Sequence, residues 1–275
     1  MEKGDRKRPI GVFDSGVGGL TVLRALRSQL PAEDFVYLGD TARVPYGTKS
    51  AKSVTRYALQ AARVLVDRGI KQLVVACNTA SAVALEALEA AYRPLPVVGV
   101  VEPGAEACCR LSVTGHVAVI GTEGTIRGGA YQRAIRRFRP DARIVARPCS
   151  LFVALAEEGW VRGELVEAIV ARYLEPILGG GSPTRPDCLV LGCTHFPPLS
   201  DAIRSVAGAG VTLVDSAETT AVAVKNGLEI AGLLNAGGEG KTHFLATDGI
   251  ARFCRVGEIF LGEPISPETV ELVDL

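Results

Sequence analysis

The sequence predicts an α/β fold of two similar αβα domains, whose mostly parallel sheets face each other across an active-site cleft. Short apolar, β-branched runs alternate with segments of helical periodicity along nearly the whole 275-residue chain. A glycine-rich strand end and a cysteine-bearing strand end each occur twice, in the same order. Hydrophobic residues make up 48% of the chain, which is typical of a packed globular protein rather than a disordered one.

Nine apolar runs are predicted to be strands. Uninterrupted Val, Ile and Leu runs of this length are typical of parallel strands that are buried on both faces. In chain order the nine runs are 9–14, 34–39, 72–76, 96–101, 116–121, 143–147, 187–192, 211–215 and 241–247. The segments between them are predicted to be helices, because neighbouring parallel strands need a right-handed crossover connection.

The helical pattern is clearest between the second and third strands. Apolar residues there follow the i, i+3, i+4, i+7, i+8 spacing of a buried stripe, and they are Ala58, Ala61, Ala62, Leu65 and Val66. Gly69 predicts the end of this helix. Another helix is predicted over 79–91, directly after Cys77.

Two segments of the chain are repeated in the same order. The strand that opens into a glycine-rich turn at 10–18 has a counterpart at 117–125, and Val74–Thr79 has a counterpart at Val190–His195. Each member of the second pair places a cysteine where a strand ends. The repeats therefore predict two similar α/β units that face each other, each presenting one cysteine.

Composition excludes several classes of protein. The chain has 30 Lys+Arg against 30 Asp+Glu and only 5% aromatic residues, so neither a basic field nor a base-stacking surface for nucleic acid is expected. No apolar stretch approaches the roughly 18 residues that cross a bilayer. The charged N-terminal segment has no apolar signal-peptide core, so a cytoplasmic protein is predicted.

Simple nucleotide-binding and cysteine motifs also fail. Thr21 occupies the position of the third glycine in a dinucleotide-binding fingerprint, and Gly47–Ser50 departs from the phosphate-loop pattern. Seven cysteines without a Cys-x-x-Cys motif disfavour a disulfide framework or a four-cysteine zinc site. A glycine-rich loop before a helix remains, which suits a small anion such as a carboxylate.

Cys77 and Cys193 are the strongest candidates for chemistry. Each follows an apolar strand, and ligands of open α/β sheets bind at the carboxyl ends of strands. Cys77 is expected at a helix N-terminus, where the helix dipole lowers the pKa of a thiol. His195 could hold a proton or orient Cys193. There are two alternatives. The cysteines could be buried only for packing, or Cys193 and His195 could be half of a zinc site, although the remaining candidate ligands, His116 and His243, show no metal-like spacing.

Several segments resemble the cofactor-independent aspartate/glutamate racemase family. They occur in order along most of the chain, at 11–20, 37–47, 76–80, 96–103, 155–159, 191–197 and 215–217. The resemblance implies that a second domain is inserted in the first. The first domain is then residues 1–101 plus 216–275, and the second is residues 102–215, with the active site between them.

The resemblance also implies interconversion of L- and D-glutamate without a cofactor or metal, D-glutamate being supplied for peptidoglycan, and a homodimer. Cys77 and Cys193 are then the acid/base thiols. Asp14 assists Cys77, while His195 and Glu157, preferred over its neighbour Glu158, assist Cys193. The residues implied to line the substrate are Asp14, Ser15, Pro45, Tyr46, Gly47, Asn78, Thr79, Thr122, Thr125, Thr194 and His195.

Racemisation requires proton transfer on both faces of one carbon, which two cysteines on opposite walls can supply. Without an electron sink such as pyridoxal phosphate, the carbanion needs hydrogen-bond donors around the α-carboxylate. The segments 78–79 and 194–195 are placed to provide them. Two other functions stay open: a related racemase or isomerase of aspartate or another small acid, and a non-catalytic metal- or ligand-binding module that uses Cys193 and His195.

Overall fold

Ten strands form two separate sheets in the computed structural model, which describes residues 5–179 and 185–275. In chain order the strands are β1 (Ile10–Asp14), β2 (Phe35–Gly39), β3 (Gln72–Val75), β4 (Val97–Gly99), β5 (His116–Gly121), β6 (Arg143–Pro148), β7 (Cys188–Gly192), β8 (Thr212–Asp215), β9 (Thr242–Ala246) and β10 (Val270–Leu272). The first sheet has the order β10-β9-β2-β1-β3-β4, and the second has the order β6-β5-β7-β8. All paired strands are parallel, so the predicted α/β fold is confirmed.

Eleven α-helices within the same residues connect and cover the strands. They are α1 (Leu20–Gln29), α2 (Ala51–Asp67), α3 (Asn78–Ala91), α4 (Val101–Leu111), α5 (Glu123–Gly128), α6 (Ala130–Phe138), α7 (Leu151–Glu157), α8 (Glu164–Leu178), α9 (Ser200–Ala207), α10 (Ser216–Ile230) and α11 (Ile250–Leu261). Single 3₁₀ turns add Asp5–Lys7, Thr41–Arg43, Tyr46–Thr48, Pro197–Leu199 and Pro267–Thr269. In this described part, no helix is long and apolar enough to span a membrane.

All nine predicted strands are present, with ends that differ by at most two residues. The largest difference is at β4, because Val101 already begins α4. The prediction missed β10, which has only three residues, two of them exposed, at the edge of the first sheet. A short edge strand of this kind lacks the continuous apolar run that marks a buried parallel strand.

The duplicated sequence segments occupy equivalent positions in the two sheets. The order β2-β1-β3-β4 within the first sheet recurs as β6-β5-β7-β8 in the second. Strand β1 thus corresponds to β5, and β3 corresponds to β7, as the two sequence repeats require. The first sheet extends this common plan by β9 and β10.

Apolar side chains cover both faces of each sheet. On the first sheet, α1, α10 and α11 pack on one face, and α2 and α3 pack on the other. The predicted stripe of α2 is buried except for Val66, which is half-buried. The second sheet lies between α7, α8 and α9 on one side and α4 and α6 on the other. Its strands fall within predicted residues 102–215; the domain boundaries themselves stay a prediction.

A buried ion pair lies at the amino-terminal edge of the first sheet. Lys71 precedes β3, Glu33 precedes β2, and both side chains are about 1% exposed. The Lys71 ammonium also donates to the carbonyls of Arg6 (2.6 Å) and Leu233 (3.0 Å). The other oxygen of Glu33 accepts from the backbone N–H of Asn235 at 2.8 Å. The pair therefore joins the N-terminal segment and the connection after α10 to the sheet.

Replacing Lys71 by Met should lower the free energy of unfolding by about 3–5 kcal/mol, because it leaves the Glu33 carboxylate buried without its cation. Adding Glu33→Gln removes that charge and keeps an acceptor for Asn235, so the double variant should regain about half of the loss. Urea denaturation of both variants, with the exposed Lys52→Met as the matched control, measures these differences. A Lys71→Met variant as stable as the control would contradict the interpretation.

Candidate active site

A cavity of about 400 Å³ lies between the carboxyl ends of the two sheets. The strand order reverses at β1 in the first sheet and at β5 in the second, and such switch points are where ligands bind in open α/β sheets. The first sheet contributes the segments after β1, β2 and β3, and the second contributes those after β5, β6 and β7. The volume is in the range of small-molecule sites.

The structure brings most of the predicted site residues to this one cavity. Those that line it are Ser15, Pro45, Tyr46, Gly47, Cys77, Asn78, Thr79, Thr122, Glu157, Cys193, Thr194 and His195. Asp14 and Thr125 are fully buried and lie behind the lining. Thr125 supports it from there, since its hydroxyl lies 3.3 Å from that of Thr79 and 3.1 Å from that of Thr122.

The fold also brings residues to the cavity that the sequence did not indicate, and these are Gly16, Val44, Thr48, Ser150, Val153, Ala154 and Arg252. Gly16, Val44 and Thr48 adjoin predicted residues along the chain, and Ser150, Val153 and Ala154 lie up to seven residues before Glu157. Arg252 is different, because it lies on α11, well beyond the last segment that carried the family resemblance. No local pattern marks it, and only the packing of α11 brings it to the site.

Cys77 lies on the wall that the first sheet provides. It is the N-cap residue of α3, where its sulfur accepts a hydrogen bond from the backbone N–H of Ala80 at 3.5 Å. The residue is 5% exposed. Asp14 ends the neighbouring strand β1, and one of its oxygens accepts from the N–H of Gly16 at 2.9 Å, while its Oδ1 has no partner among the described residues.

The environment of Cys77 contradicts one prediction. The helix dipole was expected to lower the pKa of this thiol, but burial, followed by the charge of Asp14, raises it to about 12. The hydrogen bonds from the Ser15 side chain and from the Ala80 backbone N–H act in the opposite direction and are outweighed. Burial likewise raises the pKa of Asp14. Cys77 is therefore held as a neutral thiol, because a charge at this buried position is poorly solvated.

Cys193 lies on the opposite wall, directly after β7, and carries a chain of polar partners. Its sulfur is 3.8 Å from Nδ1 of His195. Nε2 of the same ring is 3.1 Å from Oε1 of Glu157, the last residue of α7. Glu158, the other candidate carboxylate, is exposed. Arg252 completes the chain, donating to Oε2 of Glu157 at 2.7 Å.

This chain of partners favours a charged imidazole. Burial by itself would lower the pKa of His195, but the hydrogen bonds to Cys193 and Glu157 raise it to about 10. The hydrogen bond from His195 in turn lowers the pKa of Glu157. An imidazolium next to Cys193 stabilises negative charge on its sulfur. The two cysteines thus have different neighbours, since the Asp14 carboxyl lies near Cys77 and the His195 imidazole lies beside Cys193.

Direct contacts hold the two walls together around the cavity. The Thr79 and Thr122 hydroxyls are 2.9 Å apart, and the Tyr131 hydroxyl donates to Oδ1 of Asn78 at 2.7 Å. Gly18, after β1, approaches His195 so closely that a Cβ there would lie 2.5 Å from the imidazole ring. Position 18 therefore requires glycine, because a side chain there would collide with His195.

The zinc-site alternative gains no support from the described ranges 5–179 and 185–275, where no group of three or more His, Cys, Asp or Glu residues is arranged to hold a metal ion. Nε2 of His195 faces the Glu157 carboxylate, which the Arg252 guanidinium also contacts. A guanidinium is not a metal ligand and would repel a cation. This arrangement suits proton transfer between a thiol and an imidazole.

Comparisons with known proteins identify the family of the chain. The family model described as Asp/Glu/Hydantoin racemase matches residues 10–224. A glutamate racemase of Geobacter metallireducens is 53% identical over 256 residues, which is 93% of each chain. Solved glutamate racemases of Bacillus anthracis (TM-score 0.92) and Francisella tularensis (TM-score 0.89, in complex with D-glutamate) are each 36% identical and cover 98% of both chains.

The two cysteines should react at different rates with iodoacetamide in the native protein. At pH 8 a thiol of pKa about 12 is ionised in only about one molecule in 10,000, and the thiolate is the nucleophile. Both residues are 5% exposed, and only Cys193 has the His195 imidazole beside its sulfur, so we expect Cys193 to be alkylated at least about tenfold faster than Cys77. Peptide mass spectrometry over time measures both rates. His195→Asn should remove most of the difference between the two alkylation rates. Faster labelling of Cys77 than of Cys193 in the unmodified protein would contradict the prediction.

Proposed function

The chain belongs to the Asp/Glu/hydantoin racemase family, and we propose that it is a glutamate racemase that interconverts L- and D-glutamate with Cys77 and Cys193 as its two acid/base groups. The observation that carries the proposal is that these cysteines reach one cavity from opposite sheets. Similarity to glutamate racemases over nearly the whole chain, one of them solved with D-glutamate, favours glutamate over aspartate.

In one direction, the thiolate of Cys193 removes the α-proton, and the electron pair left on Cα is delocalised into the α-carboxylate. The thiol of Cys77 then donates its proton to the opposite face of Cα, which inverts the configuration. Cys193 ends as the thiol and Cys77 as the thiolate. The reverse reaction uses the same atoms with the roles exchanged, so each direction starts with one thiol and one thiolate and passes through a carbanion between two thiols.

The surroundings of the two sulfurs support a particular resting state. His195, with a pKa raised to about 10 by its partners, is the cation that stabilises a thiolate at Cys193. Cys77, whose pKa is raised by burial and by Asp14, rests as the thiol. When Cys77 becomes the thiolate, protonation of Asp14 would relieve the repulsion between them, and burial favours that proton by raising the pKa of Asp14.

The carbanion is stabilised by donors at the two strand ends. The Nδ2 amide group of Asn78 is buried without a partner among the described residues, while its Oδ1 is occupied by the Tyr131 hydroxyl. The amide is thereby oriented with its N–H groups available to a carboxylate in the cavity. Donors fixed before the reaction stabilise the developing charge without reorganising, and Thr79 and Thr194 lie beside them.

Several further features belong to the proposal. The resemblance implies a homodimer, a cytoplasmic enzyme and a supply of D-glutamate for peptidoglycan. The same resemblance places the boundaries between the two domains after residues 101 and 215. The remaining cavity residues, Ser15 and the loop Pro45–Gly47, provide the wall of the first sheet that faces the substrate.

The purified protein should racemise glutamate without added cofactor. We expect the circular dichroism of L-glutamate or D-glutamate to decay to zero in the presence of a chelator and without pyridoxal phosphate. Aspartate, which is one methylene shorter, is the control substrate and should react at least about tenfold more slowly. Faster turnover of aspartate would favour the related racemase, and activity that the chelator abolishes and zinc restores would overturn the two-thiol scheme.

Each single-thiol variant should lose racemisation but retain half of the chemistry. Cys77→Ala and Cys193→Ala should each lower racemisation by about 10²–10⁴-fold, the usual contribution of a general acid or base. In D₂O, the remaining thiol should still exchange the α-proton of one enantiomer with retention, and the two variants should act on opposite enantiomers. Proton NMR follows this exchange.

Cys109→Ala is the matched control, since that half-buried cysteine lies outside the lining of the cavity. It should keep the activity of the unmodified protein. Full racemisation by either single-thiol variant, or exchange of the same enantiomer by both, would contradict the assignment of the two bases.

A further inference from the structure

Arg252 connects α11 to the partners of Cys193. Its guanidinium donates to Oε2 of Glu157 at 2.7 Å, while Oε1 of Glu157 lies 3.1 Å from Nε2 of His195. Nδ1 of His195 then faces the sulfur of Cys193 at 3.8 Å. Four side chains thus form one continuous series of polar contacts from Arg252 to the sulfur of Cys193.

The two ends of this series belong to different sheets. Helix α11 packs against α1 on the first sheet, whereas Cys193 follows a strand of the second sheet. Helix α11 contacts the series a second time, because the ring of Phe260 packs edge-on against the imidazole of His195 with 5.0 Å between centroids. Arg252 and Phe260 thus fix the Glu157–His195 pair from the opposite side of the cleft.

The geometry gives Arg252 a defined task. A carboxylate that accepts from two donors on its two oxygens cannot rotate without losing one of them. Arg252 therefore fixes Glu157 so that Oε1 stays directed at Nε2 of His195, and this orientation directs Nδ1 of the imidazole at Cys193. Because Arg252 is 56% exposed on its side chain, its ion pair adds little to the stability of the protein, and its main effect is on orientation.

We propose that Arg252 is a positioning residue that acts, through Glu157 and His195, on Cys193 and not on Cys77. This inference rests on the proposed function, since it assigns Arg252 to one of the two half-reactions. Cys77 depends on other groups, namely the backbone N–H of Ala80, the side chain of Ser15 and the neighbouring Asp14. Loss of Arg252 should therefore slow proton removal by Cys193 and leave proton removal by Cys77 unchanged.

Overall racemisation cannot reveal this asymmetry. L- and D-glutamate have equal free energies in water, so the equilibrium constant is one and kcat/KM must change equally in both directions. The half-reactions are separated only in the single-thiol variants, where one enantiomer exchanges its α-proton through one cysteine. The test therefore places Arg252→Gln in the Cys77→Ala and Cys193→Ala backgrounds and measures exchange in D₂O over a range of glutamate concentrations up to saturation, which gives both the maximal rate and KM.

We expect Arg252→Gln to slow the exchange catalysed by Cys193 about tenfold, the lower end of what loss of an outer partner of a functional histidine costs. Exchange catalysed by Cys77 should change less than about twofold. Arg252→Lys keeps the charge and should restore part of the Cys193-dependent rate. The matched control is Arg255→Gln, which removes the same charge from an exposed position one turn further along α11 and should affect neither rate.

Equal slowing of both exchange reactions would overturn the proposal, because a general loss of structure acts on both thiols. Unchanged exchange with a higher KM for both enantiomers would also overturn it and assign Arg252 to substrate binding. Thermal unfolding of Arg252→Gln beside Arg255→Gln identifies a folding defect. Failure of the proposed function has a different signature: the unmodified protein would then not racemise glutamate at all, whatever residue occupies position 252.

Discussion

The proposed reaction depends on one geometric constraint, which is that two sulfur atoms carried by different sheets must reach a single carbon. Parallel strands satisfy it, since all their carboxyl ends meet at one edge of each sheet, and the two edges face one cavity. The remaining requirement is close approach of the sheets. Gly18 beside His195 and the hydroxyl contact between Thr79 and Thr122 provide it.

The same position in two similar units has acquired two different electrostatic environments. Cys77 follows β3 and Cys193 follows β7, the equivalent strands of the two sheets. Burial and Asp14 nevertheless raise the pKa of Cys77 to about 12, while a charged His195 lies beside Cys193. A two-base reaction with one thiol and one thiolate benefits from this difference, because the two sulfurs then do not compete equally for the single proton.

The repeat also shows where the two units have diverged. Strand β1 ends in Asp14, whereas its counterpart β5 ends in Gly121, so the second unit has no carboxylate at that position. Glu157 supplies one from α7 instead and reaches the thiol through His195. The common four-strand order is thus retained while the polar partners of each cysteine come from different elements.

The sequence alone determined the α/β class and nine of the ten strands in the described residues, because apolar periodicity is local. Strand-end motifs and the family resemblance together indicated twelve of the nineteen residues that line the cavity. Tertiary structure decided the rest. The pKa of Cys77 reverses the local helix-dipole expectation because burial depends on what the whole chain packs over it. Arg252 reaches the site only through the packing of α11, and β10 forms only because β9 offers it an edge, so neither leaves a pattern in the neighbouring residues.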